Sequence, residues 1–370
     1  MEKHAILMTT GSLALSNEVK AEMQLDVDSR SLQFRLTTAF IRELILGMVD
    51  GNGTHSVVPL PGGGSYGMEA ALASFVSRTD RPLVCVNGNC GEQILEIMRH
   101  RGIRARSLRT PCDRPISVNE LGRCLEADPD ISHVCLVHCE SPTGVVNPIN
   151  ELVQLAKQHK VKTIVDAVNS FGALEISARR TPFDVLVTVS DKCIEAPPGI
   201  SFVIASLDEL ESSVSDLGSL ILDVRNHWRS IEKTGQWHSM PPTHVVQACK
   251  KALEVLAVEG INKRSIRYAA VSDEIVRATE KYAIPLLGPR VRSPTCVALT
   301  SHGTINSQRE FDALYAHLTK YNLYIDPNLN IETCSYTIGC MGAVKPTSIY
   351  LLATAFRVFF QPVDAIRAPH

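Results

Sequence analysis

The 370-residue chain has no uninterrupted apolar run near the ~20 residues that a membrane-spanning helix needs. Its most apolar late stretch, Ile349 to Phe360, is broken by Arg357. It also lacks any Lys/Arg run interleaved with aromatics, which argues against nucleic acid as a partner. A formal net charge of −2 implies no strong electrostatic steering. Eleven cysteines include no C-x-x-C pair, so neither a zinc site nor a disulfide framework is expected. Several, such as Cys85 and Cys135, sit in apolar runs, as reduced thiols of a cytoplasmic protein do. The apolar stretch in Met1–Met8 is too short for a secretory leader. No internal repeat or low-complexity linker occurs. What remains is ordinary globular composition, 45% hydrophobic and 21% charged, at a length suited to a large domain with a smaller partner.

From about residue 80 to 205, short apolar runs alternate with helical patterns. Leu83–Val86, Val134–Val137, Thr163–Val165, Val185–Val187 and Phe202–Ala205 read as buried strands. After Asn147-Pro148, Leu152, Leu155 and Ala156 share one helical face. Apolar strands without alternation, separated by helices, predict an α/β fold with a mainly parallel sheet covered on both faces. Ligands of such sheets bind at the C-terminal strand ends. Pro242 to Gly260 reads as one long helix, with Val245, Ala248, Ala252, Leu253 and Leu256 on one side. Beyond it, strand-like Cys296–Leu299, a helix near Glu310 to Lys320, strand-like Leu323–Ile325 and a final helix predict a smaller α+β domain. The expected division is residues 17–250 for the large domain, and 1–16 with 251–370 for the small one.

Three segments can carry chemistry. Pro61-Gly62-Gly63-Gly64-Ser65 precedes a helical stretch. Glycines let backbone N–H groups approach a phosphate, Ser adds a hydroxyl, and a helix N-terminus favours negative charge. A tight turn before a helix would look the same. Asp166 ends the apolar strand Thr163–Val165, where a buried carboxylate needs a partner. A pyridinium nitrogen would be one; a capped turn is the plainer reading. Lys192, 26 residues further on, follows a buried strand and precedes Pro197-Pro198-Gly199. Its amine could point into a cleft and form an imine, or be a solvated loop residue. The order phosphate cradle, Asp, Lys within one α/β domain favours the chemical reading.

At these residues the chain resembles the class V aminotransferase group of fold-type I pyridoxal-5′-phosphate (PLP) enzymes. The likeness is strongest to the branch that transfers the amino group of 2-aminoethylphosphonate to pyruvate. It runs through Gly64-Ser65-Tyr66, His138-Cys139-Glu140-Ser141-Pro142-Thr143-Gly144, Val165-Asp166-Ala167-Val168-Asn169, Asp191-Lys192-Cys193-Ile194 and Ile338-Gly339-Cys340. The resemblance implies that Gly63, Gly64 and Ser65 hold the cofactor phosphate and that Asp166 pairs with the ring nitrogen. It implies that Lys192 carries PLP as a Schiff base and that Thr143 bonds near the phenolic oxygen. Thr243 corresponds to a residue reaching the cofactor phosphate of the neighbouring subunit, which implies a homodimer with shared sites.

The pattern also departs from the group. Thr337 stands where an Arg forks onto the substrate's acidic group, and Thr replaces neither its charge nor its geometry. Arg30, Arg35, Arg225, Arg290 and Arg292 are candidate substitutes, each more simply read as a surface residue. Cys90 stands where an aromatic stacks on the cofactor ring, and Asp191 where an amide is usual. The Thr10-Gly11-Ser12 opening and the Asp26–Arg30 stretch, which line the substrate side in relatives, are altered too. The loss of the Arg at 337 leaves open a PLP-dependent lyase or decarboxylase on the same fold, or a degenerate PLP-binding protein. His138, His227, His238 and His244 are given no role. Trp228 and Trp237 are expected to pack at a subunit boundary.

Overall fold

The computed structural model describes residues 5–212, 219–301 and 303–361. Met1–His4, half of the opening stretch considered above, lie outside this set. The chain opens on β1 (Ile6–Leu7). The strands β2 (His55–Pro61), β3 (Pro82–Val86), β4 (Arg106–Arg109), β5 (His133–Val137), β6 (Lys162–Asp166), β7 (Val185–Val189) and β8 (Ile200–Ser206) follow. They form a seven-stranded sheet in the order β2-β8-β7-β6-β5-β3-β4. The run from β4 to β7 is parallel, whereas β8 is antiparallel to both β7 and β2. The sheet is thus mainly parallel, as expected, but the Phe202–Ala205 run returns in the opposite direction.

Both faces of this sheet are dry, and side-chain alternation explains how. Leu83, Cys85, Val134 and Leu136 point to one face, where Leu121 and Leu152 cover them. Val84, Val86, Cys135 and Val137 point to the other, under Leu72, Ile94 and Met98. The long predicted helix forms over Thr243–Glu259, with Pro242 and Gly260 as its caps.

The remaining strands, β9 (Ile284–Pro285), β10 (Cys296–Thr300), β11 (Leu323–Tyr324), β12 (Leu329–Asn330) and β13 (Ser335–Gly339), follow a long helix, Ile261–Thr279. Antiparallel pairing gives the order β12-β13-β10-β9. A separate apolar cluster, including Ile275, Val297, Phe311, Ile338 and Phe356, fills the space around it. β1 joins this second unit by parallel pairing with β11, Ile6 opposite Leu323. Among the described residues no helix is long and apolar enough to cross a membrane.

Candidate active site

The C-terminal ends of β5, β6 and β7 face the second unit, and the chemistry-bearing segments meet there. β2 ends at Pro61, and Gly62 turns the chain with φ +126°, donating its N–H to Gly199 O at 2.9 Å. A Cβ on Gly62 would lie 2.7 Å from the Tyr66 ring, so no larger residue makes this turn without strain. The helix Gly64–Phe75 begins at once, with Gly63 as an N-cap that makes no side-chain cap bond. Its first-turn N–H groups therefore lack carbonyl partners within the helix, the arrangement that receives a phosphate. The Ser65 hydroxyl accepts from Gln93 Nε2 at 2.9 Å. A Cβ on Gly64 would touch both methyls of Val168 at 3.3 Å, so this turn lies against the segment that follows β6.

Asp166 ends β6 and is only 5% exposed. One carboxylate oxygen accepts the Val168 N–H at 2.9 Å, its one side-chain hydrogen bond among the described residues. Burial pushes its pKa up to about 7 and Glu140 adds to the rise, while the Val168 N–H and the charge of Lys192 oppose it. A buried carboxylate so poorly compensated suits a cationic ring nitrogen, which would hold it ionised. On this test the residues fit PLP.

Lys192 occupies the turn between β7 and β8, and its Nζ donates to Thr10 O. The turn is clamped from beneath. Glu195, at φ +63°, donates its N–H to Lys192 O at 2.8 Å. The Glu195 carboxylate accepts from Tyr268 OH at 2.6 Å, Gly342 N at 2.9 Å and Arg267 Nη2 at 3.1 Å. Arg264, fully buried, donates to Cys193 O at 2.6 Å and pairs with Glu259 at 2.7 Å. The second unit thus grips the Lys192 turn. Asp191 is half-buried, and burial raises its pKa while Lys192 lowers it.

Cys90 opens the helix Asn89–His100 beside Asn169, whose Nδ2 lies 3.8 Å from the sulfur. Burial, Glu140 and Asp166 hold its thiol well above the usual range, so it stays protonated. Glu140, fully buried, accepts the N–H groups of Cys90 and Gly91, each at 3.0 Å. It caps that helix and consumes the donors there, whereas the first-turn N–H groups after Gly63 have no such side-chain acceptor. Thr143 is buried after β5, with its hydroxyl near Val145 N at 3.5 Å.

A cavity of about 770 Å³ adjoins this cluster, with Thr10, Gly88, Thr143, Asp326, Thr337 and Arg109 in its wall. Thr337 turns its hydroxyl onto Pro142 O. Asp326 accepts Thr10 N at 2.9 Å and Thr10 Oγ1 at 2.7 Å, which fixes the loop that Lys192 also touches. Thr10 and Gly11 line the cavity; Asp26–Arg30 do not, and Asp26 meets His244 at 3.2 Å instead. None of the five candidate arginines lines it either. Arg225 is a buried structural residue rather than a surface one, bonded to Glu209 O at 3.0 Å and to Ser74 O. Arg292 pairs with Asp273 at 2.9 Å. Thr243 starts its helix and makes no hydrogen bond to the Lys192 cluster of its own chain among the described contacts. Trp237 donates to Thr38 at 3.0 Å, and Trp228 packs against the main-sheet core. Burial pushes the pKa of His138 down to about 4, so it is neutral at ordinary pH.

Four residues were missed from sequence. Glu140 lies inside the His138–Gly144 motif, but nothing local marks its reach to Cys90. Asp326, Arg264 and Arg109 lie far from the motifs along the chain and meet the site only through the fold.

A glycine-rich turn at a helix N-terminus, a buried carboxylate and a clamped lysine at the strand ends of this sheet are the arrangement of a fold-type I PLP enzyme. The chain belongs to the class-V aminotransferase family, whose sequence profile matches residues 14–313. It is 33% identical over 357 residues to a 2-aminoethylphosphonate–pyruvate transaminase of Pseudomonas putida, covering 96% of each chain. The enzyme of that name from Pseudomonas aeruginosa is 34% identical over 345 residues, 93% of this chain and 92% of that one. In fold it is similar to an alanine–glyoxylate aminotransferase of Nostoc, with TM-score 0.89, 21% identity, and 98% and 97% of the two chains covered. It is likewise similar to a pyridoxamine–pyruvate aminotransferase of Mesorhizobium loti, with TM-score 0.84, 21% identity, and 99% and 94% covered. The protein is a PLP-dependent transaminase.

Proposed function

We propose that this transaminase moves an amino group from 2-aminoethylphosphonate, or a related small acidic amine, to a keto acid such as pyruvate. The observation that carries the chemistry is the convergence of Asp166, Lys192 and the Gly63–Ser65 turn, with Val168 of the Asp166 segment in contact range of Gly64. The named donor comes from the two Pseudomonas relatives.

When bound, PLP supplies an aldehyde that condenses with amines and a pyridinium ring that takes up the electrons released at the amine-bearing carbon. Gly63, Gly64 and Ser65 would hold its phosphate with first-turn N–H groups and a hydroxyl. Asp166 would keep the ring nitrogen protonated, Thr143 would bond the phenolic oxygen, and Cys90 would lie against the ring with a polarizable sulfur. Lys192 Nζ would provide the amine that holds the cofactor aldehyde and would serve as the base for the proton on the substrate's amine-bearing carbon. Thr10 O is its resting partner, and the Glu195–Arg264 clamp keeps its backbone from yielding.

The working unit in this reading is a homodimer in which Thr243 serves the partner's site. In support, Leu32, Leu36 and Phe40 form an exposed apolar ridge at 63%, 55% and 36% exposure on one face of the helix Leu32–Met48. The separate apolar clusters support a large and a small domain divided near 16 and 250, except that Ala252, Leu253 and Leu256 of the helix Thr243–Glu259 still pack in the larger cluster, which puts the boundary beyond that helix rather than at 250. Free, mostly buried thiols support a cytoplasmic compartment.

The test is a half-reaction. 2-Aminoethylphosphonate without keto acid should bleach the colour of the PLP-loaded protein, and pyruvate should restore it. Recovery without pyruvate, with a product that has lost a bond other than C–N, would favour a lyase. A colour indifferent to every amine would rule out turnover.

A further inference from the structure

An acidic donor needs a cation, and position 337 offers a hydroxyl already bonded to Pro142 O. Arg109 is the one Lys or Arg in the wall of the cavity that Thr10, Thr143 and Thr337 line, among the described residues. It ends the edge strand β4, directly opposite Val86 of β3, so it stands next to the Asn87–Cys90 turn. Its guanidinium forks onto Glu92, with Nη1 on Oε1 and Nη2 on Oε2 at 3.1 Å. The two side chains are 58% and 49% exposed. Exposed pairs of this kind contribute little to stability, and a phosphonate or carboxylate accepts the same fork. The other carboxylates of the wall have partners. Thr10 bonds Asp326 through its N–H and hydroxyl, and the Cys112 thiol lies against Glu332.

We infer that Arg109, released from Glu92, is the residue that receives the acidic group of the substrate, in the role that Thr337 cannot fill. Glu92 then competes with the substrate for the guanidinium. This rests on the transaminase reading above and assigns its acid subsite.

Two substitutions at the pair should act in opposite directions. In the holoenzyme, Arg109→Gln should raise KM for 2-aminoethylphosphonate by a factor of about ten to a hundred, the loss falling mainly on KM. Arg109→Lys should recover part of it, and Glu92→Gln should lower KM. Calorimetric titration with ethylphosphonate, which carries the acid but no amine, reads the same subsite without turnover. Its affinity should fall in Arg109→Gln and rise in Glu92→Gln. Equal ethylphosphonate affinity in wild type and Arg109→Gln would overturn the assignment. Arg109-dependent ethylphosphonate binding without turnover of 2-aminoethylphosphonate would uphold it while discarding that donor.

Discussion

Arg264, with no exposed surface, donates a 2.6 Å hydrogen bond to the carbonyl oxygen of Cys193, one residue beyond Lys192. A guanidinium removed from water persists only where its donors are met, and Glu259 and the Cys193 and Ile194 carbonyls meet them here. The second unit therefore fixes the backbone that carries the Lys192 side chain.

Arg264→Met keeps the bulk and removes the donors. It should cost about 3 kcal/mol or more of unfolding free energy, because a buried ionic network loses one partner. Urea denaturation measures this, and an unchanged midpoint would mean the clamp is idle.

Asp166 gives the apoprotein a pH signature. Its folded pKa of about 7 lies above the ordinary 3.8. Between about pH 4 and 7 the folded chain keeps a proton that the unfolded chain has lost, so stability falls as pH rises through that window. The full shift corresponds to about 4 kcal/mol at most. Asp166→Asn should lose less stability than wild type between pH 5 and 8, as measured by denaturant titration. Parallel curves would contradict the burial argument. Saturating PLP should shrink the wild-type loss by supplying a cation.

Gly88 faces Glu140 so closely that an added Cβ would lie 2.5 Å from its carboxylate. Gly88→Ala should displace Glu140 from the Cys90 and Gly91 N–H groups and cost about 1–3 kcal/mol. A thermal melt reads the loss, and a wild-type melting temperature would show that the contact yields freely.

In the proposed homodimer, the exposed Leu32–Leu36–Phe40 ridge is the contact surface. Leu36→Glu should shift the protein to monomer by size-exclusion chromatography and weaken its retention of PLP, since Thr243 would no longer reach a partner. A dimer that persists would place the interface elsewhere.

Much of this was readable before the fold. The apolar runs at 83–86, 134–137 and 185–187 became strands because both sheet faces are covered, and that leaves an uninterrupted hydrophobic signal. β4, Arg-Ser-Leu-Arg, gave no such signal because an edge strand is half solvated; with it went Arg109 at its end. β2 precedes the 80–205 stretch of apolar runs, and its two prolines give no strand signal, although an edge strand tolerates them. Asp166 and Lys192 were legible from local context. The Glu195 and Arg264 clamp was not, because its members are 69 residues apart and nothing local marks a charge that is buried by a distant helix.

All of the proposed chemistry passes through the amine of Lys192. Borohydride reduction of the PLP-loaded protein, followed by peptide mass analysis, should place a pyridoxyl adduct on the peptide containing Lys192 and on no other lysine. Protein that binds PLP and transaminates yet leaves Lys192 unmodified would contradict it.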